Sequence, residues 1–258
     1  MRRIKLEVAY DGTEYSGWQI QPNAVTIEQK LNEALCAVCN EKIAVTGASR
    51  TDAGVHALMN IAVFDTNSMI PAEKFAYALN SRLPNDIVVQ SSCEVAADFH
   101  PRRCDTVKTY EYRILNRKFP IPLMSRYTYF YHYPLDVELM NEAAGYLVGE
   151  HDFKSFCSAN SQAETTVRTI YSIEVLEEPI MHTNVTGLDT GREIIIRITG
   201  NGFLYNMVRI IAGTLIEVGN KRKEPYSVKE ALEARDRQHA GPTAPPQGLT
   251  LVRIRQKQ

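Results

Sequence analysis

The sequence predicts an α+β fold, mainly antiparallel, built from two halves of similar layout. Three observations lead there. Ile4, Leu6, Val8 and Tyr10 alternate with charged or small residues, the period of a half-buried strand. Ile27, Leu31 and Leu35 then recur at helical spacing behind Thr26 and Gln29, which form a capping-box pattern. From Asp136 onward helices and hairpin-like strands alternate a second time, although the two halves share no residue-by-residue repeat.

In chain order, the loop DGTEYSGWQIQPNAV leads from the first strand into that helix, and strands follow around IAVTGAS and HALMNIAVFDT. Pro71 opens a helix through PAEKFAYALNSRL, and Pro84 lies just past its end. A strand at IVVQSS and a pair at TYEYRIL and TYFYHYP follow, and the line between the halves, with residues 1–116 as the first, falls between the members of that pair. The second half, 117–258, is expected to hold a helix through VELMNEAAGYLV and strands at VRTIYSIEVLEE and REIIIRITG. Glu177 to Gly191 is expected to be the hairpin loop between those strands. A long helix from Phe203, a short one at VKEALEA and a strand at LTLVRI finish it, after a turn punctuated by Pro242, Pro245, Pro246 and Gly248.

With 258 residues, 44% of them hydrophobic, the chain has material for a sizeable core. No apolar run reaches the ~18 residues a membrane helix needs, and the N-terminus lacks a signal-peptide core, so a soluble cytoplasmic protein is expected. The five cysteines, Cys36, Cys39, Cys93, Cys104 and Cys157, lack the dense spacing of a secreted framework. Cys36 and Cys39 form a C-x-x-C inside a helical pattern with no second pair, which favours helix packing over zinc or redox chemistry. A net charge of −1 gives no direct sign of a nucleic-acid partner. Basic surface is confined to short runs: Arg2, Arg3 and Lys5; Arg102, Arg103 and Lys108; Lys221, Arg222 and Lys223; Arg253, Arg255 and Lys257. Each run alone reads as a solvated face.

Three stretches carry chemistry. In GASRTDAGVHA, Arg50 and Asp52 sit among Gly47, Ala48, Ser49, Ala53 and Gly54, where small side chains let something bulky approach the carboxylate. A tight turn carrying a solvated ion pair accounts for the same residues. In FLYNMVRIIAGTLIEVG, Phe203, Met207, Ile211, Thr214 and Val218 share one arc of a helix. Arg209 lies opposite, in a stripe with Tyr205, Ala212, Gly213 and Ile216, where its donors need an acid, a phosphate or a carbonyl. An ion pair between helices would serve as well. In KTYEYRIL, Lys108, Tyr110 and Tyr112 share one face of a strand, and such a face either stacks bases or packs as core.

Together GASRTDAGVHA, KTYEYRIL, NGFLYNMVRIIAGTL and APPQGL, with the opening VAYDGTEYSGWQIQP, resemble the successive motifs of the tRNA pseudouridine synthase A (TruA) family. The resemblance spans the chain from end to end. It implies the pseudouridine synthase fold, two α+β halves whose sheets join around a central RNA-binding cleft, in a homodimer. It also implies roles: Asp52 as nucleophile, Arg209 as its ion-pair partner, Arg50 as a helper in extruding the target base, and Tyr110 as the ring packed on that base. The implied substrate is tRNA, at uridines 38, 39 and 40 of the anticodon stem-loop.

Converting uridine to pseudouridine moves the glycosidic bond from N1 to C5 without redox change, so no cofactor is expected. The sequence accordingly has no phosphate-binding or dinucleotide fingerprint. No metal is expected either: His56 follows Asp52 by four residues, but no third ligand is apparent. A single acid fits a base that stays in the pocket, whereas glycoside hydrolysis usually takes two carboxylates. The alternatives are a non-catalytic RNA-binding protein on this fold and a synthase acting on another RNA site.

Overall fold

The alternation at the N-terminus becomes β1 (Arg2–Tyr10), whose Ile4, Leu6 and Val8 are fully buried. The computed structural model describes residues 1–103, 105–159, 163–180 and 191–256. Cys104, Lys257 and positions 181–190 of the expected hairpin loop lie outside the described residues. By backbone proximity the chain falls into two units, Met1–Thr106 with Thr250–Gln258, and Val107–Leu249. That division falls earlier than the 116/117 line drawn from the sequence, and it counts the strand at LTLVRI with the first unit.

In the first unit β1 runs between β3 (His56–Thr66) and β4 (Ile87–Val95), antiparallel to both. The short β2 (Thr46–Gly47) also pairs with β3, and a later strand, Leu249–Gln256, lies parallel to β3 at His56 and Ala57. Helix α1 (Ile27–Cys39) starts at Thr26, whose Oγ1 accepts the Gln29 N–H at 3.3 Å. Only that half of the capping box forms, because the Gln29 amide turns to Glu33 at 2.8 Å. The helix expected from Pro71 opens instead with a 3₁₀ turn at Ala72–Lys74 and narrows to α2 (Phe75–Asn80). Its end is set by Asn80, whose amide donates to Val89 O at 3.0 Å and accepts from Val89 N at 2.8 Å. Those two bonds satisfy the outer edge of β4, an end strand of this unit's sheet. Phe75 packs edge-on against Phe64 of β3 at 5.3 Å.

The second unit orders its main strands β5 (Thr106–Asn116), β9 (Arg192–Gly200), β8 (Val167–Pro179), β7 (Gly149–Asp152), each pair antiparallel. TYFYHYP contributes only β6 (Tyr129–Tyr131), parallel to the end of β5. Asp136 caps α3 (Val137–Gly145), and Asn141 on that helix grips Val175 of β8 through two 2.8 Å bonds. The same device thus serves α2 and α3. Helix α4 (Met207–Gly219) is buried on nearly every side, Arg209 and Glu217 excepted, and α5 (Ser227–Ala234) follows it. The strand at Leu249–Gln256 is β10. Both units are therefore α+β with mostly antiparallel sheet.

The long helix expected from Phe203 begins only at Met207. Asn206 adopts a left-handed backbone, φ 60°, which interrupts any helix running through Phe203–Asn206 and frees Tyr205 from the Arg209 stripe.

Candidate active site

The acid loop lies in the first unit between β2 and β3. Asn60, fully buried in β3, grips it: its Oδ1 accepts from Ser49 N at 3.3 Å, and its Nδ2 donates to Ser49 O at 3.0 Å and to the Tyr10 hydroxyl at 3.3 Å. That hydroxyl is 2.7 Å from Thr51 Oγ1. On the other side Trp18 N donates to Thr51 O at 3.0 Å, and Gly54 N donates to Tyr15 O at 3.2 Å. Ser49 and Thr51 are consequently buried, Arg50 is exposed, and Asp52 is half-buried. The loop thus alternates buried Ser49 and Thr51, held by neutral hydrogen bonds, with exposed Arg50 and half-buried Asp52.

The small residues of this loop have more than one reason to be small. A Cβ on Gly47 would lie 2.4 Å from the Trp18 indole, and Ala48 is buried, so these two make room for protein. Only Ala53 and Gly54 leave space near Asp52 on the outer side. His56 points inward: its Nδ1 accepts from Gly12 N at 3.1 Å and lies 3.1 Å from Asp11 Oδ1. No group of three His, Cys, Asp or Glu stands close enough to hold a metal among the described residues. Cys36 exchanges hydrogen bonds with the Ile43 backbone, and the four described cysteines, Cys36, Cys39, Cys93 and Cys157, are free thiols.

Tyr110 and Arg209 belong to the second unit. Glu111 on β5 lies opposite Arg197 of β9 and is bonded by Arg113 at 2.8 Å and Arg197 at 2.9 Å, a charged ladder that fixes the strand's register. The aromatic face is thereby turned the other way. Tyr112 is fully buried, and its hydroxyl donates to Pro245 O at 2.9 Å. Burial pushes its pKa well above the ordinary tyrosine range, so it stays a neutral donor. Tyr110, 7% exposed, meets Phe203 edge-on at 5.2 Å.

Arg209 stands in the first turn of α4, where a positive charge opposes the helix dipole. Helix stability does not explain it. Its Nε donates to Ala244 O at 2.7 Å and its Nη1 to Asn206 Oδ1 at 2.8 Å, while Ala244 N returns a bond to Arg209 O at 3.1 Å. Asn206, left-handed, is itself held through Ser158 Oγ at 2.9 Å. Sequence reasoning missed Asn60 and Asn206 as supports. Asn60 was detectable as an amide amid the apolar run of HALMNIAVF, whereas nothing in the sequence marks the φ of Asn206.

The 870 Å³ cavity near Leu135 and Asn220 pairs four of its charges, Lys221 with Asp136 and Arg192 with Glu177, and is lined by none of Arg50, Asp52, Tyr110 and Arg209. A family model described as tRNA pseudouridine synthase matches residues 7–102 and 143–255. The chain belongs to the tRNA pseudouridine synthase family, a family of isomerases. Arg50 and Asp52 lie in the first matched stretch, Arg209 in the second, and Tyr110 between them. Relatives named tRNA pseudouridine synthase A from Thermoanaerobacter sp. (strain X514) and Brevibacillus brevis (strain 47) are each 47% identical, covering 98% of this chain and 99% of theirs. A protein of Clostridium perfringens named tRNA pseudouridine synthase A 2 is also 47% identical with the same coverage. Among solved structures the chain is similar to the archaeal box H/ACA sRNP Nop10–Cbf5 complex. The two are 12% identical over 92% of this chain and 60% of that one, with a TM-score of 0.33. In this family member no described helix is long and apolar enough to cross a membrane.

Proposed function

We propose that this enzyme isomerises uridine to pseudouridine at positions 38, 39 and 40 in the anticodon stem-loop of tRNA, in the cytoplasm and as a homodimer. Asp52 is the nucleophile, Arg209 its ion-pair partner, Arg50 a helper in extruding the base, and Tyr110 the ring against which the base packs. Residues 1–116 carry the acid and residues 117–258 the supporting arginine. The observation that carries this reading is the acid loop, whose backbone is satisfied from within so that Arg50 and Asp52 are left to the outside.

The reaction breaks the bond from C1′ to N1 and forms one from C1′ to C5, after which the C5 hydrogen leaves as a proton. Asp52 acts as a carboxylate, either attacking C1′ or removing the 2′ proton; both routes require the ionised form. An arginine within about 4–6 Å favours that form by roughly 1–3 pKa units. Extruding the nucleotide costs a few kcal/mol, which stacking in the pocket offsets.

Asp52→Asn keeps the size and removes the charge, so it is expected to fold and bind tRNA without making product. An unmodified tRNA transcript tritiated at uridine C5 supplies the assay: the wild-type enzyme should release label to water, leave the RNA full length, and give pseudouridine in the anticodon arm by carbodiimide mapping. Turnover by Asp52→Asn, checked for deamidation, would remove the nucleophile. Free uracil would indicate a hydrolase, binding with full label retention a non-catalytic RNA-binding protein, and product outside the anticodon arm another RNA site.

A further inference from the structure

In two of the basic runs most charges are paired within the fold: Arg2 and Arg3 with Glu94 and Asp65, and Lys221 and Lys223 with Asp136 and Glu217. Arg102 is placed otherwise. Arg3, already paired with Asp65, donates Nη1 to Phe99 O at 2.9 Å and draws the segment after β4 back onto the sheet. A turn closed from Arg103 N to His100 O then presents Arg102, whose Nε donates to Gly47 O at 2.8 Å. Gly47 opens the acid loop, three residues before Arg50. The contact uses the guanidinium's Nε.

The charge that acts most strongly on Arg102 is another positive one. After burial, proximity to Arg50 is the larger influence lowering its pKa, ahead of the opposing pull of Glu28. Arg102, anchored by its Nε to the backbone of Gly47, and Arg50, three residues further along the same loop, are both exposed, and two guanidiniums at one loop suit an anion with several acceptor oxygens. The carboxylate that pulls on Arg102 is Glu28, which also accepts from Ile20 N at 2.9 Å.

We propose that Arg50 and Arg102 together hold one backbone phosphate of the RNA beside the nucleotide that enters the Asp52 loop. The inference rests on RNA being the substrate. It gives Arg50 a physical means of helping to extrude the base: a phosphate fixed between two guanidiniums is a pivot about which the nucleotide turns out.

The test is the salt dependence of binding to unmodified tRNA transcript. Each phosphate contact contributes about 0.7–0.9 to the slope of log affinity against log salt concentration. The double variant Arg50→Gln/Arg102→Gln should lower the magnitude of the slope by that amount and converge with wild type at high salt, Arg102→Gln alone should lose part of it, and Arg102→Lys, which keeps the charge, should retain most of it. A wild-type slope in the double variant overturns the proposal. Should that variant fold poorly by thermal melting, the wild-type protein decides: mass spectrometry should find Arg102 shielded by tRNA from phenylglyoxal at low salt and reactive at high salt. Equal reactivity with and without tRNA refutes the clamp. If wild-type binding itself ignores salt, the RNA reading has failed and not the pairing of these two arginines.

Discussion

At the scale of single residues, neutral amides organise the site. Asn60 is wholly buried and holds both backbone groups of Ser49, one residue before Arg50. Asn60→Ala removes that grip and leaves Ser49 N–H and C=O in a region with little access to water, an expected loss of about 1–3 kcal/mol in stability. Because the loop loses its fixed geometry, kcat should fall more than tRNA affinity does. Urea unfolding and tritium release measure the two effects, and unchanged turnover in a destabilised variant would make Asn60 a core residue only. The sequence announced Arg50, Asp52, Tyr110 and Arg209, because charge or aromatic character is visible among small or alternating neighbours. It gave Arg102 no distinction from Arg103, since the bond to Gly47 depends on a turn anchored by Arg3, distant in sequence.

At the scale of elements, α4 and the loop after α5 behave as one piece. A Cβ on Gly213 would meet Pro242 O at 1.8 Å, a backbone clash that no side-chain rotation relieves. This close approach brings Ala244 within reach of Arg209, one helical turn before Gly213. Gly213→Ala, which on helix propensity alone would stabilise α4, is expected to destabilise the second unit and displace Arg209. Thermal melting together with turnover tests this, and a variant with raised melting temperature and full activity would show that the loop yields without consequence. Of the stripe opposite the core arc, Ala212, Gly213 and Ile216 are buried and Tyr205 is exposed. The start of α4 was not legible: Phe203 continues the apolar period, but the left-handed Asn206 stops the helix short because its side chain is engaged by Arg209 and Ser158. The helix after Pro71 shortened for a related reason, Asn80 being drawn to the β4 backbone. Periodicity reports which face is apolar and is silent about polar side chains that capture backbone at a distance.

At the scale of the whole molecule, residues after 249 carry none of the proposed chemistry yet belong to the unit that holds Asp52. Thr250 and Leu251 of β10 pair with His56 and Ala57, which follow the acid loop directly, and Leu251 and Ile254 are buried. A chain ending at Leu249 is expected to retain the second unit's hydrogen-exchange protection while losing it at His56 and Ala57, and to release no tritium. Preserved activity in that fragment would make the strand dispensable. The same arrangement sets an order of events on the ribosome. Residues 1–106 emerge before their last strand exists, and at about 5–20 residues per second the intervening 107–249 take roughly 7–30 s to synthesise. Throughout that interval the edge of β3 next to Asp52 waits without its neighbour, while the segment made later has all its own strands in hand as soon as it clears the tunnel. The unit translated first is thus the one completed last, and the acid loop acquires its final support only after every other strand has been made.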